Sequence, residues 1–167
     1  NIYLIPEGGA NDLGITGSSE IIGSFDHTFD SICIAVGTGG TMLGISRSIK
    51  KNQKLIGFLS VNDRSRINYI SNNMDSSINY DLIKEFTFGG LGKFNNELIL
   101  FINSFKKKYK IPLDPIYTGK VLFGIFTLIK NHNWTWGKNI LFIHTGGLQG
   151  IDGFNFLQKK KGGLMLK

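Results

Sequence analysis

Ser31-Ile32-Cys33-Ile34-Ala35-Val36 runs without a break into Gly37-Thr38-Gly39-Gly40-Thr41, and these residues decide the fold. A continuous apolar run of strand length predicts a strand buried on both faces rather than one with a wet side. The glycine-rich turn follows at once, and Met42 to Ile49 then takes helical spacing. Strand, glycine turn and helix in that order are the unit of an α/β protein, a mostly parallel sheet flanked by helices in three layers.

The same signature recurs outward from this stretch. Leu55 to Val61 reads as a second buried strand, and Asn139 to Ile143 as a third, closed by Thr145-Gly146-Gly147. Ile2 to Ile5 reads as a short strand ended by Pro6 and Gly8-Gly9. Helices are expected over Asn11–Ile22, Asn96–Tyr109 and Tyr117–Lys130. The second is the clearest, because Leu98, Phe101, Ile102, Phe105 and Tyr109 recur at helical intervals and lysines gather at its C-terminal end. Pro112 and Pro115 stop it. Between Asn62 and Asn79 the chain is polar, with only short helical hints, and no internal repeat is present.

Composition narrows the function. A chain of 167 residues is one domain, and 41% hydrophobic against 19% charged residues excludes a disordered tail. No run approaches the roughly 20 apolar residues that cross a bilayer, so no membrane partner is expected. Cys33 is the single cysteine, which excludes a disulfide framework and fits a reducing compartment, so a cytoplasmic location is expected. Residue 1 is Asn with no leader after it, so the chain is expected to begin inside something larger. The net charge of +7 would suit nucleic acid, but the excess sits in two short runs, at residues 106–110 and 159–161. Neither interleaves aromatic and basic residues as a stacking platform does. A solvated helix end and a C-terminal tail account for them, and no nucleic-acid partner is expected.

Ligands of parallel α/β sheets sit at the carboxyl ends of the strands, and three glycine turns occupy such ends: Glu7-Gly8-Gly9, Gly37–Gly40 and Thr145–Gly147. The middle one places backbone N–H groups, a helix N-terminus and the Thr38 and Thr41 hydroxyls around one point, which is a phosphate site in physical terms. It has no lysine in the Walker position, and Met42 stands where a dinucleotide fingerprint needs its third glycine. A phosphate that is neither a triphosphate nor a dinucleotide, and a tight turn with no ligand, both remain open from the loop alone. His27, His132 and His144 lie too far apart in sequence for paired ligation, so no metal is expected. No serine sits in a nucleophile elbow. His144 is expected to be buried and hydrogen-bonded, and Trp134 and Trp136 to pack on the surface.

Four segments in order, Ile5-Pro6-Glu7-Gly8-Gly9-Ala10-Asn11, the Gly37–Thr41 loop, Asp114-Pro115-Ile116-Tyr117-Thr118-Gly119-Lys120 and His144-Thr145-Gly146-Gly147, carry a resemblance that spans almost the whole chain. Together they resemble the pyridoxal-phosphate enzymes grouping 1-aminocyclopropane-1-carboxylate deaminase with D-cysteine desulfhydrase, of the tryptophan synthase β-like fold. The resemblance implies that Gly37, Thr38, Gly39, Gly40 and Thr41 hold the phosphate of pyridoxal 5'-phosphate. It implies that Tyr117 is an active-site tyrosine, and that Thr118, Thr145 and Gly146 lie near the pyridine ring. Family deaminases have Glu after that tyrosine and Leu before the final Gly-Gly; desulfhydrases have Thr at both places, as here. A carboxylate beside the ring nitrogen strengthens the cofactor as an electron sink, and a neutral hydroxyl leaves it weaker. That suffices for expelling a thiol more readily than for opening a cyclopropane. The implied activity is α,β-elimination of D-cysteine to pyruvate, sulfide and ammonia, with an amino acid as substrate and a homodimer as the full-length assembly.

The resemblance also places residues 1–167 as the C-terminal part of the large cofactor domain, without the small domain and without the segment bearing the family's Schiff-base lysine. Leu91 falls where the family has a second active-site tyrosine, and Phe94, the nearest alternative, also lacks a hydroxyl. With no lysine in a matching context, the chain by itself is expected to be inactive toward D-cysteine. A non-catalytic phosphate-ligand module, a 1-aminocyclopropane-1-carboxylate deaminase and, from charge alone, a basic nucleic-acid binder are the alternatives.

Overall fold

The unbroken apolar run at residues 31–36 forms a strand of those same bounds, β1 (Ser31–Val36), in a computed structural model that describes residue 2 and residues 4–167. The chain continues through α2 (Gly40–Ser46), β2 (Lys54–Leu59), α3 (Arg64–Asn73) and β3 (Tyr80–Ile83). It then runs through α4 (Asn96–Tyr109), α5 (Thr118–Lys130), β4 (Ile140–Phe142) and α6 (Gly150–Lys161); α1 (Asp12–Ser19) precedes β1. Among the described residues the four strands form one parallel sheet in the order β3-β2-β1-β4. The expected α/β class with a mostly parallel sheet flanked by helices is the observed one.

Period-two alternation sorts the apolar run into two cores. Ile32, Ile34 and Val36 of β1 with Leu55 and Leu59 of β2 pack toward Ile15, Met42, Leu43, Ile45 and Ile70 of α1, α2 and α3. Cys33 of β1 with Ile56 and Phe58 of β2 packs toward Leu98, Ile99 and Ile102 of α4 and Val121, Leu122 and Ile125 of α5. This is the physical content of a strand without polar positions: both faces are covered. The Cys33 thiol lies inside the second core, and burial pushes it well above its usual range. It is not a reactive thiol.

Several expectations change. α1 ends at Ser19 rather than Ile22, and α2 begins at Gly40 and ends at Ser46. The strand expected over Ile2–Ile5 includes Tyr3, outside the described residues; Leu4 and Ile5 carry no strand. The polar stretch 62–79 holds a ten-residue helix, α3, capped by the Asp63 carboxylate on the Ser65 N–H at 2.8 Å. It was hidden because only Ile70 and the following Met74 are buried, so its apolar stripe is narrow. The lysines at 159–161 close α6 instead of forming a tail, where they complement its carbonyl end. Trp134 and Trp136 stack edge to face at 5.0 Å, and both indoles find acceptors, in Gly137 O and the Asp81 carboxylate. No helix among the described residues is long and apolar enough to cross a membrane.

Candidate functional site

The strand order places β1 between β2 and β4, so the chain leaves β1 toward one neighbour and reaches β4 from the other direction. Loops that diverge from adjacent strands open a crevice at their carboxyl ends. Here a cavity of about 390 Å³ opens at that point. Its lining brings together Gly37, Thr38, Gly39 and Thr41 from the loop after β1, Tyr117 from the turn before α5, and Thr145 and Gly146 from the loop after β4. Glu7, Gly8, Arg66 and Gln149 complete its polar rim. Two expected site residues lie outside the lining: Gly40 is buried behind the loop, and Thr118 is fully buried.

The glycine loop is shaped for something other than a side chain. Gly39 caps α2 with φ of +99°, a left-handed conformation that L residues rarely adopt, and a Cβ there would stand 2.6 Å from Ile70. No side chain caps the helix, and Leu43 is the first residue to bond back, to Gly39 O. The N–H groups of Gly40, Thr41 and Met42 therefore have no intrahelical partner. Gly8, at φ of +66°, presses on the Thr38 side chain, where a Cβ would come within 2.8 Å of its hydroxyl. The first glycine turn thus closes over the second. These orphan donors, two threonine hydroxyls and a glycine-walled cradle fit the phosphate end of pyridoxal phosphate. No lysine is among the lining residues to attach it.

Asp114 supports the opposite wall from behind, outside the lining. Its buried carboxylate accepts the N–H groups of Ile116 and Tyr117 on one oxygen, at 2.8 and 2.7 Å. The other oxygen accepts the Thr118 N–H at 2.9 Å and the Thr118 hydroxyl, while the Asp114 N–H donates back to that hydroxyl. The first turn of α5 is thereby capped, and Tyr117 is held with its ring 3.5 Å from the point where a Cβ on Gly37 would lie. Asp114 also supports the last loop, since a Cβ on Gly147 would meet its carboxylate carbon at 3.0 Å. Thr118 is thus spent on Asp114, whereas Thr145 is exposed at the cavity. His144 fixes the same loop: Nε2 donates to Pro112 O at 2.9 Å and Nδ1 accepts the Gly146 N–H at 3.2 Å. Those two bonds define the neutral tautomer with its proton on Nε2.

Sequence reasoning missed Arg66. Its guanidinium donates to Gly37 O at 3.1 Å and stands 3.4 Å from the Asp63 carboxylate and 3.8 Å from that of Glu7. It ties α3 to the glycine loop, and its charge is met by those two carboxylates. No local pattern marks it, because α3 itself was not legible. Leu91 lies outside the lining and is 49% exposed, and Phe94 packs on Phe154 at 4.9 Å.

No family model matches the chain. It is 31% identical, in an alignment 169 positions long that covers 89% of this chain, to the mitochondrial bifunctional D-cysteine desulfhydrase/1-aminocyclopropane-1-carboxylate deaminase of Arabidopsis thaliana, and it covers 42% of that protein. It is 30% identical to the D-cysteine desulfhydrase of Yersinia pestis, in an alignment 165 positions long that covers 87% of this chain and 50% of the relative. A crystal structure of an ACC deaminase homologue superposes with a TM-score of 0.79 at 29% identity, over 95% of this chain and 52% of the other. The chain spans about half the length of the curated relatives it matches. These identities do not separate the two activities, but with four motifs meeting in one crevice they make the chain similar, over most of its own length, to the 1-aminocyclopropane-1-carboxylate deaminases and D-cysteine desulfhydrases.

Proposed function

We propose that the crevice holds pyridoxal phosphate and that the chain is the cofactor-binding part of an enzyme eliminating sulfide from D-cysteine. The observation that carries this is convergence: Gly37, Thr38, Gly39 and Thr41, Tyr117, and Thr145 and Gly146, spread over more than a hundred residues, line one cavity at the strand-order reversal. The loop N–H groups and the Thr38 and Thr41 hydroxyls bind the phosphate, and Arg66 braces the loop through Gly37 O. Pyridoxal phosphate, when bound, supplies the electron sink that makes an amino acid's α-proton removable. Tyr117, held by Asp114, presents its phenol to the substrate side. Thr145 offers the ring a neutral hydroxyl instead of a carboxylate, which favours elimination over ring opening. In the overall reaction the Cα–H and Cβ–S bonds of D-cysteine break, hydrosulfide leaves, and water releases ammonia from the remaining carbons to give pyruvate.

The lysine-free lining supports a further point: the 167-residue chain binds the cofactor without a covalent link and does not turn over D-cysteine. The same feature favours a second reading, a binding module without catalysis. Leu13, Ile21 and Phe25, large apolar side chains left at the surface, fit a chain that packs against further protein, which favours the enzyme. A location in the cytoplasm and a homodimeric assembly belong to the same proposal.

Equilibrium dialysis of the pure chain against pyridoxal phosphate and against pyridoxal tests the phosphate site. The phosphate should improve affinity by about tenfold or more, and Thr38→Val with Thr41→Val should remove most of that gain. Equal affinity for pyridoxal would remove the phosphate site. Borohydride treatment followed by mass spectrometry should find no lysine adduct. Sulfide release from D-cysteine above that of free pyridoxal phosphate would show that the chain is catalytic on its own.

A further inference from the structure

Lys120 heads the large side chains that are fully buried, with 2% of its surface exposed. It lies one turn beyond Tyr117 at the start of α5. Its ammonium has no carboxylate within ion-pair distance among the described residues; it donates instead to three backbone carbonyls. Thr87 O and Gly90 O accept at 2.8 and 2.9 Å, and Ser60 O lies at 3.4 Å. The face of Phe88 approaches it at 5.9 Å. Ser60 directly follows β2, and its hydroxyl is bonded to Val36 O at the end of β1.

Thr87 and Gly90 belong to a loop that turns through left-handed backbone at Phe88, Gly89, Gly90 and Gly92, with φ of 56°, 95°, 134° and 70°. Its own turn bonds, Gly90 N to Thr87 O and Lys93 N to Gly90 O, use the same two carbonyls that face the ammonium. Carbonyl oxygens from two segments therefore converge on one buried positive charge. That is the surrounding of a cation in a peptide cage, not of an ion pair. Burial pushes the ammonium down to about 8 while Asp114 opposes the shift, so it keeps its proton at neutral pH.

We propose that Lys120 acts as a tethered monovalent cation, a positioning residue that locks the Thr87–Gly92 loop onto the turn carrying Tyr117. Removing the side chain should leave a carbonyl cage that a free cation of ammonium size can enter. Lys120→Ala in the full chain, melted at equal ionic strength in choline, potassium or ammonium chloride, tests this. The unaltered chain should melt at one temperature in all three salts. The variant should melt on the order of 10 °C lower in choline chloride, because three carbonyls lose the ammonium and face an empty cage, with turn bonds left only at Thr87 O and Gly90 O. It should regain most of that loss in potassium or ammonium chloride, since choline is too large for the cage. A variant that melts equally in every salt, or folds in none, overturns the proposal. Acetylation of the folded unaltered chain supplies a readout that needs no variant. Lys120 should react about tenfold or more slowly than exposed Lys107, and equal rates overturn the proposal as well. None of these readouts involves pyridoxal phosphate, so they succeed or fail apart from the cofactor site.

Discussion

Replacing Asp114 by Ala should be among the most damaging single changes in this chain, although its carboxylate touches no ligand-facing surface directly. Three N–H groups and one hydroxyl point at it. The Thr118 N–H is fully buried and would lose its acceptor, at a cost of about 1–3 kcal/mol. Loss of the capping interaction on α5 adds about 1 kcal/mol, while the half-buried N–H groups of Ile116 and Tyr117 can turn to water. The sum is about 3 kcal/mol, which for a chain of this size lowers the melting temperature by roughly 6–12 °C. Urea denaturation followed by circular dichroism measures it, with Asp152→Ala on the exposed side of α6 as the control expected within about 0.5 kcal/mol of the unaltered chain. Asp114→Asn should fall between, because the amide keeps one accepting oxygen but sets a donor against the Thr118 N–H. If Asp114→Ala and Asp152→Ala denature at the same urea concentration, Asp114 does not cap α5, and the account of how Tyr117 is positioned fails with it.

Gly39→Ala should cost about 2–3 kcal/mol by thermal melting, since it combines a φ of +99° with a Cβ 2.6 Å from buried Ile70. An unchanged melting temperature would mean that the loop is not held in this conformation. Thr118→Glu should prevent stable folding, because it forces a second carboxylate against Asp114 in a buried pocket, whereas Thr145→Leu should fold normally at its exposed position. A native circular dichroism spectrum for Thr118→Glu would refute this. Asp30 accepts the N–H groups of Asn139 and Lys138, which hold its carboxyl below the usual carboxylate range. Its stabilisation should therefore be complete near neutral pH and fade as pH falls through that lowered value. Asp30→Asn should accordingly weaken the chain at pH 7 and make little difference in strong acid. A pH-independent difference in urea midpoint between the two would contradict this.

Much of the framework is written locally. Six residues without a polar interruption could only be a strand covered on both faces, and β1 occupies that stretch. α4 follows its apolar stripe from Asn96 to Tyr109, with Asn95 capping the Leu98 N–H at 2.9 Å. The glycine loops were legible because glycine at a strand end has few other uses, and the order of four motifs indicated the family. α3, β3 and α6 were not legible. α3 buries little, β3 is a half-buried four-residue edge strand, and α6 carries glycines at 150 and 153 that blur its stripe.

What the sequence alone determined, then, is the α/β class and the glycine loop after β1, because propensity and period act over a few residues, while the resemblance carried by four motifs named Tyr117 and Thr145 as candidates. Only the tertiary structure decided which of these face one another. The order β3-β2-β1-β4 sets the loops after β1 and β4 side by side, although more than a hundred residues separate them. It assigned Thr118 to Asp114 and Thr145 to the crevice, although both are threonines in matching motifs. It brought Arg66 to the rim from a stretch with no pattern and enclosed Lys120 among carbonyls of two separate segments. Such pairings depend on which strands share hydrogen bonds and which faces are buried, and those are properties of the packed chain rather than of any window of it.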